Sequence, residues 1–251
     1  MIIMAVVASS EELILLNENS FSEAAKLGFS PVVIHSLNLQ PLIPSYCESI
    51  ALADFGSYGE VNVAKACKLL KSEDFILHVD PDEFYSADLL LDVKDLEFKL
   101  KKEQVGTIKA RYYFKHKMLH GTPWGGVKEI IKIAHKDVFS ERMLVHQQIN
   151  AKTIAVNSNH FIRHYWAESY REIEAKHKRY LKYEGALKAS QYDKWTLSQS
   201  IYRIIRVHYG IVKRIRIKDG FTGIILSLIF SKYATLAELK FRTWSQINAR
   251  E

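Results

Sequence analysis

Only two cysteines, Cys47 and Cys67, occur in the 251 residues. Neither a disulfide framework nor a Cys-rich zinc pattern can be built from them, and a reducing, cytoplasmic setting is the default. Long apolar runs are missing too. The longest near the end, 220–230, falls well short of the ~20 residues that a bilayer-crossing helix needs, so no transmembrane segment is expected. The apolar start, 1–7, has no basic leader and runs at once into Ser9-Ser10-Glu11-Glu12, which predicts a first strand rather than a signal peptide. Internal repeats and low-complexity tracts are absent. Acidic residues are absent between Lys194 and Lys218, a stretch holding seven Lys or Arg residues. No zinc-finger, helix-turn-helix or RNP-like motif accompanies that basic stretch, so nucleic acid is not expected as a partner.

What is present is ordinary for a globular protein: 48% hydrophobic and 25% charged residues, enough to bury a sizeable core. The formal charge of +7 and pI near 9.2 point to an anionic partner: nucleic acid, an anionic membrane surface or a phosphorylated substrate. The basic stretch is followed by Ile224-Ile225-Leu226 and Leu228-Ile229-Phe230. That order suits an interfacial helix on an anionic membrane, and equally a core helix packed on a catalytic domain.

Through the first half, strand-like and helix-like pieces alternate: 2–7, 12–16, a helical 22–27, 31–35, a helical 60–70, then Phe75–Val79. Further strands are read at 105–114 and 129–134. This rhythm predicts an α/β fold, a mostly parallel sheet flanked by helices. From 166 to about 189, Trp166, Tyr170, Ile173, His177, Leu181 and Leu187 recur at helical spacing, with Glu172/Lys176 and Glu174/Lys178 as i,i+4 pairs. The expected division is a nucleotide-binding and catalytic domain over 1–165 and a helical C-terminal region over 166–251.

The chemistry centres on His78-Val79-Asp80-Pro81-Asp82-Glu83-Phe84. Pro81 cannot continue a central ladder, so the acidic cluster falls just past the strand's carboxyl end, where open α/β sheets bind ligands. Asp80 and Asp82 suit a hard divalent cation. Mg2+ or Mn2+ takes oxygen ligands and needs only one or two protein carboxylates when a diphosphate supplies the rest. Taken alone, the triplet is as well read as a solvated acidic turn.

The segment 75–84 resembles the signature of glycosyltransferase family 2 and its lipopolysaccharide-core relatives, in which an apolar strand runs into D-x-D-E. Phe55-Gly-Ser-Tyr-Gly-Glu-Val-Asn62 is similar to that family's G-Y-G-x-x-x-N stretch. Val145-His146 resembles its V-H-E element. His164-Tyr165, Ser169, Lys176 and Tyr180 resemble its H-Y…S…K…Y helix entry, and Asp219-Gly-Phe-Thr-Gly223 its D-G-x-x-G region. The likeness covers roughly 55–240. It implies a GT-A fold and an inverting, hexosyltransferase-like enzyme that takes sugar from a nucleotide-diphosphate donor, UDP-sugar favoured. The implied acceptor is a cell-surface glycan or glycolipid, reached in the cytoplasm or at the inner face of a bacterial cytoplasmic membrane. By the same resemblance Asp80 and Asp82 serve the metal and diphosphate, and Gly59 and Asn62 the nucleotide. Lys176 and Tyr180 fall on the donor side, His164 and Ser169 on the acceptor side.

Two departures bear on turnover. Inverting transfer needs a base beside the acceptor hydroxyl, and where the family has V-H-E this chain has Val145-His146-Gln147. His146, Glu83 or Glu141 would then do that work, or the protein is a catalytically impaired homologue that binds or scaffolds. At the amino end, either 1–9 is the family's first strand with a shortened connection, or 12–20 stands where the family has E-I-I-V-V-D-x-x-S and the real first strand and helix are missing. Under the second alignment Asn17 replaces an expected nucleotide-binding acid. Plainer readings stand beside these. His160 and His164 flanked by aromatics suit structural hydrogen bonding, and Lys176 suits a surface pair with Glu172.

Overall fold

The computed structural model describes every residue except 40–42, 57–58, 72–73, 142–148, 183–195, 215–218 and 249–251. His146, Gln147 and Leu187 lie outside the described residues. Two compact units form: Met1–Arg111 with Val127–Trp166, and Tyr112–Gly126 with Ala167–Glu251.

The first unit is α/β. Strand β1 (Ile2–Val6) pairs in parallel with β2 (Ser30–Ser36), β2 with β3 (Glu48–Leu52), and β1 on its other side with β4 (Phe75–Val79). The sheet is thus parallel through β3-β2-β1-β4 and turns mixed beyond. There β8 (Val127–His135) lies antiparallel to β4 and to β6 (Gln104–Phe114), and β9 (Lys152–Ala155) is parallel to β6. The path ends through β10 (Ile162–Ala167) at a two-residue strand, β5 (Glu83–Phe84). A further short strand, β7 (Lys117–Met118), pairs with Tyr113 and Phe114 in the second unit.

Successive β1 residues Ile2, Ile3, Met4 and Ala5 are all buried, as a central parallel strand covered on both faces demands. On one face, Met4, Ile34 and Ile76 pack with Val63, Ala66 and Cys67 of α3 (Gly59–Leu69) and Phe139 of α5 (Lys136–Ser140). Helix α4 (Ala87–Glu97) starts at Ser86, whose hydroxyl accepts the Leu89 N–H, and buries Leu89, Leu90, Val93 and Leu96 along one stripe.

One expected strand is a helix. Residues 12–16 fall in α1 (Ser10–Leu16), because Ser9 and Glu12 form a variant of the capping box: Ser9 Oγ accepts the Glu12 N–H at 3.2 Å, and Glu12 Oε2 reaches one residue past the cap to accept the Ala8 N–H at 2.6 Å. The apolar Leu13-Ile14-Leu15-Leu16 run has no strand alternation to oppose that cap. A π-helical turn, Asn17–Phe21, joins α1 to α2 (Ser22–Lys26). Residues 2–6 form a strand and a helix follows it, so 12–16 is not a strand.

The second unit is helical: α6 (Tyr170–Tyr180), α7 (Leu197–Arg214) and α8 (Gly220–Asn248). Trp166, expected at the head of a helix, lies in β10 instead. The helix starts later because Ser169 and Glu172 form a second capping box, the hydroxyl accepting from Glu172 N–H at 3.1 Å and Glu172 Oε2 from Glu168 N–H at 2.9 Å. At 29 residues, α8 runs far past the apolar segment 220–230. Its portion Gly220–Phe241 has mean hydropathy 1.4 and is long and apolar enough, by length and composition alone, to cross a bilayer. The count of contiguous apolar residues stopped at Ser231 and Lys232, whereas a helix continues through them.

The element at 219–223 ties residues 120–121 to the head of α8. The Asp219 carboxylate accepts the His120 N–H at 2.8 Å and the Gly121 N–H at 2.5 Å. A Cβ on Gly223 would lie 2.6 Å from Asp219 Cβ, so glycine there lets the carboxylate reach those amides. His177 is buried between two rings, Tyr233 at 4.2 Å and 21° and Trp124 at 5.9 Å and 26° between centroids and planes.

Candidate functional site

The acidic turn is built by the end of β4. After Val79 the chain leaves the ladder, the Glu83 N–H closes the turn on the Asp80 carbonyl at 3.0 Å, and β5 begins. In β5, Glu83 pairs with His164 of β10, and the next amide, Tyr165 N–H, donates to the Asp82 carbonyl at 2.8 Å. From behind, the π-helical turn supports it. Asn19 Nδ2 donates to the Pro81 carbonyl at 3.2 Å, Ser20 Oγ to the Glu83 carbonyl at 3.1 Å, and the Tyr85 N–H to the Asn19 carbonyl at 3.3 Å.

The three carboxylates differ in exposure. Glu83 is fully buried, whereas the Asp80 and Asp82 side chains remain 38% and 32% exposed. Lys132, a lysine inside the apolar run Ile130-Ile131-Lys132-Ile133 of β8, reaches the cluster with only 6% of its side chain exposed. Its Nζ lies 2.7 Å from Asp80 Oδ2 and 2.8 Å from Glu83 Oε2. Glu83 Oε2 also accepts the Asp80 N–H and the Tyr85 hydroxyl, each at 3.1 Å. His164 bridges the other side, Nε2 3.4 Å from Asp82 Oδ1 and Nδ1 3.3 Å from Glu83 Oε1.

The electrostatics follow from this mixture of burial and opposite charge. Burial alone would raise Asp80, but Lys132, then His78 and His164, hold its carboxyl well below the usual range. Burial would lower Lys132, yet Asp80 and Glu83 keep it firmly protonated. Burial would lower His164 as well. The charge of Asp82, then hydrogen bonding to Asp82 and Glu83, outweighs burial and pushes the ring up to about 10. His78, beneath Asp80 with its ring edge-on to Phe139, is driven the other way, chiefly by burial. Three carboxylates thus face two cations, one fixed and one pinned as imidazolium.

No family model matches the chain, and no curated protein matches it. Among solved structures it is similar to S. aureus TarS 1–349, at 12% identity and a TM-score of 0.37, over 98% of this chain and 92% of that one. A likeness that slight carries no argument about chemistry.

The expected site residues separate into three groups. Gly59, Asp80, Asp82, Glu83 and His164 come together. Gly59 opens α3 with its would-be Cβ position 4.0 Å from Asp80 Oδ1, so the positive end of that helix lies beside the acidic turn. Others are committed locally. The buried Asn62 amide accepts the Gly56 N–H and donates to the Gly56 carbonyl, both at 2.8 Å, clamping the loop before α3 rather than offering itself to a nucleotide. Asn17 Oδ1 accepts from the Tyr46 hydroxyl. Glu141 is the exposed C-cap of α5. In the second unit, Ser169 caps α6, Lys176 lies 3.3 Å from Glu172 as the plainer reading expects, and Tyr180 ends the helix with Arg179 over its ring. His146 belongs to none of these groups, being outside the described residues.

Lys132 is the residue that the sequence reading passed over. Its signal was there: a lone lysine between isoleucines of an apolar strand, if buried, requires an acidic partner, since an unpaired charge is rarely buried.

Proposed function

We propose that the chain is a glycosyltransferase using a nucleotide-diphosphate sugar, with donor phosphates and a divalent cation held at Asp80 and Asp82. The supporting observation is the acidic turn at the carboxyl end of β4, where two partly exposed carboxylates stand beside the amino end of α3 above a third carboxylate closed off from solvent. Exposed carboxylate oxygens and a helix amino end are together what a metal-diphosphate group needs. Asp82, partly exposed beside His164, and Asp80 Oδ1 would be the ligands. When bound, Mg2+ or Mn2+ neutralises the charge developing on the departing diphosphate.

The chain's own residues then have distinct tasks. Glu83 and Lys132 lock the turn, so the aspartates do not need reorganising when the donor arrives. His164, protonated at neutral pH, serves as a charged donor beside Asp82 rather than as a base. With Glu83 buried and His164 protonated, the base role falls to His146 or Glu141. The acceptor is a glycan or glycolipid hydroxyl, in keeping with the family 2 resemblance of 75–84.

A second reading, a homologue that binds nucleotide without turnover, is favoured by Gln147 and by the hold of Lys132 on Asp80. One experiment separates the two. Thermal stabilisation by UDP, GDP or CMP with Mn2+ should add about 2.7 kcal/mol at 100 times the dissociation constant, and Asp82→Ala should abolish it. Binding accompanied by metal-dependent nucleotide release from a donor sugar supports transfer. Binding without release supports the second reading, and no stabilisation by any nucleotide rejects both.

A further inference from the structure

Helices α7 and α8 each bury residues in the second unit and expose apolar residues along another side, with Lys232 among them on α8. On α8, Leu226, Ser227, Ala237, Glu238 and Phe241 are buried, while Phe221, Ile224, Leu228, Leu236 and Leu239 are exposed. At 100° per residue those five fall within an arc of about 120°. On α7, Ser200 and Ile211 are buried, and Leu197, Ile201, Tyr202, Ile205, Tyr209 and Val212 are exposed within an arc of about 140°. Apolar stripes of this length on a water-soluble surface call for a covering partner.

The charge beside them selects that partner. Along α7 as far as Lys213 the charged residues are Arg203, Arg206 and Lys213, all basic. Lys213 and Arg206 fall at the far edge of the α7 apolar arc. A second copy of this chain, itself at +7, would bring like charge to like charge. An anionic bilayer would complement both the apolar stripe and its basic margin. Crossing the bilayer is disfavoured by the polar residues of α8: Lys232 lies 3.6 Å from Glu174 of α6, and Glu238 is packed into the unit. We infer that α7, assisted by the exposed face of α8, is an interfacial element that seats this protein on an anionic membrane surface. This inference stands apart from the chemistry at Asp82.

The test is flotation of the full chain with phosphatidylcholine vesicles, with and without phosphatidylglycerol. Salt-sensitive flotation only with the anionic vesicles is expected. Ile205→Glu with Tyr209→Glu should abolish it, and Arg206→Glu with Lys213→Glu should weaken it about tenfold or more. Both pairs should leave the melting profile and Mn2+-nucleotide binding unchanged, so failure here is distinguishable from failure at the acidic turn. Absence of flotation overturns the inference, as does equal, salt-insensitive binding to neutral vesicles. A dimer by light scattering that the same variants dissociate would assign the stripes to a second copy, and carbonate-resistant retention in native membranes would assign α8 to a span.

Discussion

The ammonium of Lys132 lies 2.8 Å from Glu83 Oε2, where the lysine side chain is 6% exposed and the glutamate not at all. A pair this deep is costly to break, because removing one partner strands the other charge without water.

Lys132→Met should therefore destabilise the first unit by about 3–5 kcal/mol. Combining it with Glu83→Gln should recover much of that loss, since the stranded charge is then gone. Chemical denaturation of the two single variants and the double gives the coupling. Additive losses would mean that the two side chains act independently.

His177 supplies a pH dependence. Burial between Trp124 and Tyr233 lowers its pKa to about 4, against ~6.5 in an unfolded chain. Between those values the unfolded state binds more protons, so stability is full above about pH 6.5 and falls as the pH drops toward 4. The loss should be on the order of 3 kcal/mol, from 1.36 kcal/mol per unit. His177→Phe keeps a ring in the stack and should flatten the profile over that window. An unchanged slope would place the titration elsewhere.

Asp219→Ala removes the acceptor of two partly buried amides and should cost about 2 kcal/mol. Gly223→Ala should approach the same loss by a different route, its methyl displacing the carboxylate. If Gly223→Ala is neutral in thermal melts, the Asp219 clamp is not what requires glycine there.

Ser169→Ala separates a cap from an acceptor contact. As the α6 N-cap its loss should cost about 1 kcal/mol of stability and leave the KM for acceptor unmoved. A raised KM with unchanged stability would restore the acceptor-side role that the H-Y…S resemblance implied.

Several features were legible because they are local. Phe75–Val79 is a strand by composition, and Pro81 ends the ladder at the acidic turn. Alternation of apolar strands with helical segments gave the α/β class, and Asp80-x-Asp82 marked the carboxyl end of β4 whatever lay around it. The misreading at 12–16 came from weighing the apolar run above the Ser9/Glu12 capping box, itself equally local.

The character of the site was set by contacts that no spacing rule reveals. Lys132 is 52 residues from Asp80, yet the antiparallel β4/β8 register brings its ammonium onto Asp80 and Glu83. The β5/β10 pairing likewise sets His164 against Glu83. Sequence alone assigned acidic residues to a turn. The tertiary structure decided which of them is shut away with a lysine and which remain open to a ligand, because burial and opposite charge are properties of packed neighbours and not of order along the chain.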